Sequence, residues 1–343
     1  MPKIESRLEI LKHFSNLGSN REKLKYLAKL GALAPSSHNT QPWFFRIGEN
    51  DIEVLPNFKR CLPASDPTNR ELVISLGTAL ANIAIAAEAY GLKYRYEFYE
   101  TLGVNIAMAK IFFDSLAPTK EDKVLLSALA LRHNNRSDFL SKPIENNFLE
   151  QAKDLVVPGI NYMTTSDPAV LKDAADVVVD ATIEAFGRQS FKEELAEWLR
   201  PSLSKYRDGM PGYNIEVPFI LSFALPTIIR KADVRKQQAE MARKALSASS
   251  AFGVLSAVED TPHIWVKAGY SFEQLAVHAQ KYGMSMSLLT AAIEMGEEHR
   301  RLEEIMKVSG RALMFFRLGY PSKSTDASPR LPVEEVIVYK NGH

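Results

Sequence analysis

The strongest constraint on the fold of this chain is a match between two of its own segments. Gly77 to Gly91 reads GTALANIAIAAEAYG, and Gly269 to Gly283 reads GYSFEQLAVHAQKYG, an offset of 192 residues. The first and last glycines, Ala84/Ala276, Ala87/Ala279 and Tyr90/Tyr282 coincide. Asn82/Gln274, Leu80/Phe272, Ile83/Leu275 and Ile85/Val277 are like for like. In the first copy Leu76, Leu80, Ile83, Ala84 and Ala87 recur at helical spacing. Each closing glycine is the expected left-handed stop. Each copy therefore reads as a buried, alanine-rich helix that lets a neighbour come close. A chain carrying two such helices reads as two similar halves.

The flanking patterns extend this reading. Trp43–Ile47 and Ile52–Leu55 form a hairpin signal around the turn at 48–51. Tyr94–Tyr99, Asn105–Phe113, Ile160–Thr164, Ile264–Ala268 and Arg311–Leu318 read as further strands. Helices are expected over 20–33, 121–133, 167–186 and 297–308. The fold class is α+β, with each half an antiparallel-rich sheet flanked by helices. The expected division is 1–118 and 119–343. Residues of about 186–250 have no counterpart in the first half. They hold Trp198, the stretch RPSLSKYRDGMPGYN and the basic run IIRKADVRKQQAEMARKAL. This reads as an inserted helical lid.

Composition narrows the classes. A formal net charge of +1 over 343 residues gives no reason to expect nucleic acid or an anionic membrane as partner. The single cysteine, Cys61, allows no intramolecular disulfide and reads as a small apolar filler. The start MPKIESRLEILKHF carries charges throughout and lacks the apolar core of a signal peptide. The run Val217–Ile229 is short for a membrane span and holds Pro218 and Pro226. A cytoplasmic location is the expectation. With no HExxH and no Cys/His cluster, no metal site is expected. Neither GxGxxG nor GxxxxGK[ST] occurs, so a phosphate-bearing ligand would be held another way.

Two stretches carry candidate chemistry. Ala34 to Phe45 reads APSSHNTQPWFF. Pro35 and Pro42 stiffen it, while Ser36, Ser37, Asn39 and Gln41 both donate and accept hydrogen bonds. Such groups suit a planar heterocycle: a flavin, an adenine, or a sugar in its place. They equally suit a loop that caps its own backbone. Leu131 to Phe139 reads LRHNNRSDF. Arg132 and Arg136 stand four apart, and with Asn134 and Asn135 they could grip a phosphate or form a solvated basic helix end. Arg317, near the end of ALMFFRL, is a third cation that could face the same anion.

APSSHNTQPW resembles the corresponding motif of FMN-dependent nitroreductases, and LRHNNRSDF resembles their arginine segment. The segments stand here in reversed order. With RLGYP at 317–321 and SPRLPVEEV at 328–336, the pattern resembles the Acg-type branch, in which two nitroreductase-like halves are fused. The resemblance implies an intramolecular pseudo-dimer with FMN between the halves, as a monomer or a homodimer. It implies Arg132, Asn134, Arg136 and Arg317 at the phosphate and ribityl end, with Ser36, Ser37, Asn39 and Gln41 along the ring and Pro35 packing nearby. It implies electron transfer from NAD(P)H through flavin to a nitroaromatic, a quinone or a similar acceptor. The alternative is a flavin-holding protein whose lid suppresses turnover. His133 stands where many members have arginine. The first half offers only Arg7 near its start, and the second half lacks Ala-Pro-Ser-x-x-Asn, so one FMN per chain is expected. No catalytic acid or base is assigned; His38, Tyr206, Tyr213 and Lys281 are the bare candidates.

Overall fold

The computed structural model describes residues 7–11 and 13–340. The two repeats lie in twenty-residue helices, Arg70–Ala89 and Pro262–Lys281, and these two helices pack against each other at the centre. Their crossing is reciprocal. A Cβ added to Gly77 would stand 2.0 Å from the carbonyl oxygen of Val266, and one added to Gly269 would stand 1.9 Å from that of Ile74. Ile74 and Val266 are themselves 192 residues apart, as the two glycines are. Position i of one copy thus touches position j of the other, and j touches i, as across a two-fold axis. The stops repeat as well. Gly91 and Gly283 have φ of 63° and 72°, and Leu92 N and Met284 N donate back to Ala87 O and Ala279 O.

A sheet flanks each helix. The first runs Ile337–Tyr339, Trp43–Ile47, Asp51–Pro56, Ala109–Ser115, Lys93–Phe98. Its contacts are antiparallel except that Ile337–Tyr339 lies parallel to Trp43–Ile47. The end of the chain therefore returns to complete the sheet built by its beginning. The second sheet runs Ser285–Leu288, Arg311–Pro321, Ala251–Ala257, Asn161–Thr165, all antiparallel, and Phe139–Leu140 pairs with the end of Arg311–Pro321. One large apolar core joins both sheets and both central helices. Helix Arg70–Ala89 is long and apolar enough to cross a membrane, yet 94% of that window is buried in protein.

Two strand expectations are corrected. Ile264–Ala268 is helical, inside Pro262–Lys281. Its short β-branched and aromatic run is overridden by a strong helix start: Thr261 Oγ1 accepts from Ile264 N, and Pro262 stands at the first turn. The strand the sequence concealed is Ala251–Ala257, whose residues are all buried, so that no polar alternation marks it. The expected strand at Asn105 begins instead at Ala109, because Asn105 takes a left-handed turn with φ of 61°.

The insertion packs its own small core. Helix Gln189–Trp198, a loop, helix Leu221–Lys231 and helix Arg235–Ser247 follow one another, and Leu195, Leu199, Met210, Ile229 and Val234 are buried together. Helix Arg235–Ser247 lies on helix Pro168–Gly187.

Candidate functional site

The Ala-Pro-Ser stretch leaves the helix Asn20–Gly31 and turns sharply before the strand Trp43–Ile47. Three of its side-chain-bearing residues are left-handed: His38, Asn39 and Gln41, with φ of 51°, 54° and 54°. Each costs on the order of 1 kcal/mol for a residue with a Cβ. Ser36 Oγ accepts from Gln41 N at 2.8 Å and holds the turn closed. The strain holds the side chains of Ser36 and His38 on a rigid edge.

The arginine segment follows the helix Lys123–Leu131 and meets this turn. Pro35, Ser36, His38, Asn39, Arg132, His133, Asn134, Arg136 and Arg330 line one small polar cavity of about 50 Å³, closed by Met210 and Asn214 of the insertion. A larger cavity of about 380 Å³ shares Ser36, His38, Asn134, Arg136 and Met210 with it. Its other walls are mostly apolar, including Phe191, Leu195, Leu225 and Ile229 of the insertion and Leu288 and Met295 of the second half.

The charges here do not balance. Arg7, Arg132 and Arg330 surround one buried carboxylate, Glu273. Arg132 Nε stands 2.8 Å from Glu273 Oε1 in an ion pair too bent for a hydrogen bond, while its Nη2 donates to Leu33 O. Asn82, its amide nitrogen turned toward Glu273, donates to Oε1 at 3.0 Å. Arg7 donates to Arg132 O and Ser328 O. Arg330 donates to Asn39 Oδ1, Leu33 O and Ala34 O, yet its Nε has no acceptor. Burial pushes Glu273 up to about 7 and Arg7 down to about 9. These cations are crowded and desolvated, a state that a bound anion would relieve.

Arg136 differs from its neighbours Arg7, Arg132 and Arg330. Among the described residues it has no hydrogen-bond or ion-pair partner. Its side chain is exposed and lines both cavities. Around it, His38 Nδ1, Asn134 Oδ1 and Asn214 Oδ1 are buried without partners. His38 is pushed down to about 4, first by burial and then by the charge of Arg136, so it is neutral at pH 7. A pair of cavities, one polar and cationic and one mostly apolar, can take a ligand with an anionic end and an apolar end.

The remaining expected residues lie as follows. Pro35 lines the small cavity, and its carbonyl accepts from Thr78 Oγ1. Ser37 lines the larger cavity and donates to Glu71 Oε2 at 3.2 Å. Asn39 borders the small cavity, but its amide is spent on Gly209 O and Arg330. Gln41 lines neither cavity: it donates to Arg207 O and accepts from Leu331 N. Arg317 lines neither as well. It donates to Ala245 O, Asn135 O and Ser137 O and lies 4.4 Å from the Phe139 ring centroid. It braces the loop that carries Arg136. His133 donates from Nδ1 to Leu131 O and accepts from Thr325 at Nε2, and burial lowers it to about 4.

Sequence reasoning missed Arg330, Asn214 and the apolar wall from the insertion. Arg330 stood in the SPRLPVEEV stretch, but nothing in the sequence said that this segment folds back onto Ala34.

No family model matches the chain. Among curated proteins it is similar to two Mycobacterium tuberculosis (strain H37Rv) proteins described as "Putative NAD(P)H nitroreductase". It is 22% identical to Rv3131 over 321 residues, 92% of this chain and 90% of that one. It is 22% identical to acg over 338 residues, 92% of this chain and 95% of that one. The chain is thus distantly similar, over about nine-tenths of its length, to proteins described as putative NAD(P)H nitroreductases. The solved nitroreductase NfnB of sphigopyxis sp. strain HMH, described as FMN and NADPH-dependent, aligns with 63% of this chain and 99% of its own, at 14% identity and a TM-score of 0.43.

Proposed function

We propose that the protein is an FMN-dependent oxidoreductase that passes electrons from NAD(P)H to a small acceptor such as a nitroaromatic or a quinone. One observation carries this reading: the unpaired Arg136 stands where a cationic polar cavity opens into an apolar one. On this reading residues 1–118 and 119–343 are two nitroreductase-like halves related as a pseudo-dimer. The reciprocal contacts at Gly77 and Gly269 support that relation.

The donor set fits FMN. Arg136, with Asn134 and the excess charge of Arg132 and Arg330, would hold the phosphate. Ser36, Ser37 and His38 would border the ring, with His38 neutral and therefore able to offer or accept one hydrogen bond. The apolar wall would exclude water from the reacting face. Flavin, when bound, supplies hydride chemistry at N5; the chain's residues bind and orient it. The test is direct. Purified protein, or apoprotein given FMN, is expected to be yellow and to release FMN on denaturation. The bound colour is expected to bleach on anaerobic addition of NADPH or NADH. A colourless protein that takes up no FMN overturns the reading.

A second reading has its own observation. The insertion is latched over the site. Asp208 pairs with Arg60 and Arg200 at 3.0 Å each, Glu194 accepts from Ala64 N, Ser65 N and Ser65 Oγ, and Gly209 exchanges hydrogen bonds with Asn39. Such a latch suits a protein that holds flavin and admits nicotinamide slowly. Asp208→Ala is expected to speed flavin reduction under this reading, and to leave it unchanged or slower under the first.

A further inference from the structure

Beside the larger cavity lies a set of acids that the proposed function does not use. Glu294 ends the short helix Ala291–Glu294 and lines that cavity. Glu71, only 5% exposed, lies in the first turn of the helix Arg70–Ala89 and accepts from Ser37 Oγ, itself in the cavity wall. Asp66, also buried, accepts from Leu72 N at that helix's start, where backbone N–H groups stabilise its charge.

One arginine serves all three. Arg70, 8% exposed, places Nη2 3.8 Å from Glu71 Oε1 and 3.3 Å from Ile293 O, the residue before Glu294. Its Nε has no acceptor. The other charged groups nearby are committed. Arg311 donates to Ile293 O but faces Glu303 and Asp260, and Glu184, beside Gly296, pairs with Arg188. Across the cavity stand Arg136 and neutral His38. Among the described residues no cation forms an ion pair with Glu294. Burial raises the Asp66 carboxyl too, against the pull of the backbone N–H groups at the helix start, so Asp66, Glu71 and Glu294 have one cation, Arg70, among them. Two like charges so placed, Glu71 buried and Glu294 partly exposed, favour one proton held between them over both ionising. Both carboxyls are indeed raised, chiefly by burial: Glu71 to about 7, with Asp66 adding, and Glu294 well above its ordinary range, with Glu71 adding.

We infer that Glu71 and Glu294 share one proton at the wall of the larger cavity, and that Glu294 gives it to the acceptor reduced there. The second clause rests on the proposed function. The acceptor class is one that must gain a proton as it gains a hydride, such as a quinone. The quinone receives two electrons and one proton as a hydride equivalent originating in NAD(P)H, which is oxidised. Its other oxygen would then carry negative charge. The Glu294 O–H bond breaks, the quinol O–H bond forms, and Glu294 is left a carboxylate. Water refills the pair.

Two measurements test this, and only one needs flavin. In the protein without flavin at pH 7, infrared difference spectra against Glu294→Gln and Glu71→Gln should show the C=O stretch of a protonated carboxylic acid, lost or shifted in each variant. In the FMN-loaded protein, Glu294→Gln should reduce normally with NADPH and slow reoxidation by a soluble quinone by about 100-fold or more. Reoxidation by ferricyanide, which takes electrons without protons, should keep its rate. Glu294→Asp should recover part of the quinone rate, and urea midpoints of each variant show that it folds. Absence of the carboxylic-acid band overturns the shared proton. An unchanged quinone rate in Glu294→Gln, or an equal loss with ferricyanide, overturns the delivery. A band present in a protein that holds no FMN overturns the delivery together with the function above, and leaves the shared proton standing.

Discussion

The crossing of the two central helices and the cavity pair are built to opposite ends. At the crossing, Gly77 and Gly269 let backbone touch backbone, and the flanking Leu76, Leu80, Phe272 and Leu275 are fully buried. At the cavities, Arg136 has no protein partner among the described residues, five buried polar atoms (His38 Nδ1, Arg132 Nε, Asn134 Oδ1, Asn214 Oδ1 and Arg330 Nε) lack hydrogen-bond partners, and three residues of one turn, His38, Asn39 and Gln41, are left-handed. A region that satisfies every group is built for stability. A region that leaves cations and amides unsatisfied is built to be completed by something else.

The largest effect should come from the crossing. Gly77→Ala or Gly269→Ala would gain up to about 1 kcal/mol of helix propensity. It would also drive a Cβ to within 2.0 Å or 1.9 Å of a carbonyl that belongs to another helix and cannot rotate away. The expected net loss is about 3 kcal/mol or more, read as a fall in urea midpoint or loss of soluble protein. A wild-type midpoint would break the comparison.

Two arginines sharpen it further. Arg317→Met strips three backbone carbonyls of their donor and should cost roughly 3 kcal/mol of stability. Arg136→Ala removes a cation with no partner in the protein, so its stability should stay within about 0.5 kcal/mol of wild type. Its FMN affinity should fall roughly 10- to 100-fold, the worth of one or two charge-assisted hydrogen bonds. Equal stability losses for the pair would show that Arg136 is structural.

Next comes acidity. His38 and His133 are held near 4 in the folded protein, below the ordinary 6.5, mainly by burial. Between those values the unfolded chain binds more protons than the native one, so stability rises with pH and is lost as pH falls from 6.5 toward 4. The double variant His38→Gln/His133→Gln should lose less stability than wild type over that fall. Matching slopes in the two proteins would remove these histidines from the account. The smallest effect belongs to the latch. Asp208→Asn should cost about 1 kcal/mol or less, since the pairs with Arg60 and Arg200 are partly solvated. Its mark should be faster hydrogen exchange around residues 207–209 and not a changed midpoint.

Much of the frame was legible because periodicity is local. The repeat, its glycine stops and the hairpin at Trp43–Pro56 depend on neighbours within a turn or two. The strand Ala251–Ala257 was not legible, since burial on both faces erases the alternation that marks a half-exposed strand. Ile264–Ala268 misled for the same reason: a short apolar run has no period of its own. Of the site, the two polar stretches were visible as composition, and the structure does bring Ser36 and His38 against Asn134 and Arg136. The roles within each stretch were not visible. Gln41 and Arg317 look in sequence like ligand groups, yet they are spent on Arg207, Leu331 and the loop at 135–137.

By itself, then, the order of residues determined that there would be two matched helices, where each would stop, and which stretches would be too polar and too stiff to be plain core. Only the folded chain decided that Arg136 of the site would be left without a partner, that Arg330 would come back from the far end to lie on Ala34, and that Glu273 would stand among Arg7, Arg132 and Arg330. The reason is that propensity and periodicity act over a few residues, whereas the balance of buried charge is settled by groups as far apart in the chain as Arg132 and Glu273, which only tertiary packing brings to one place.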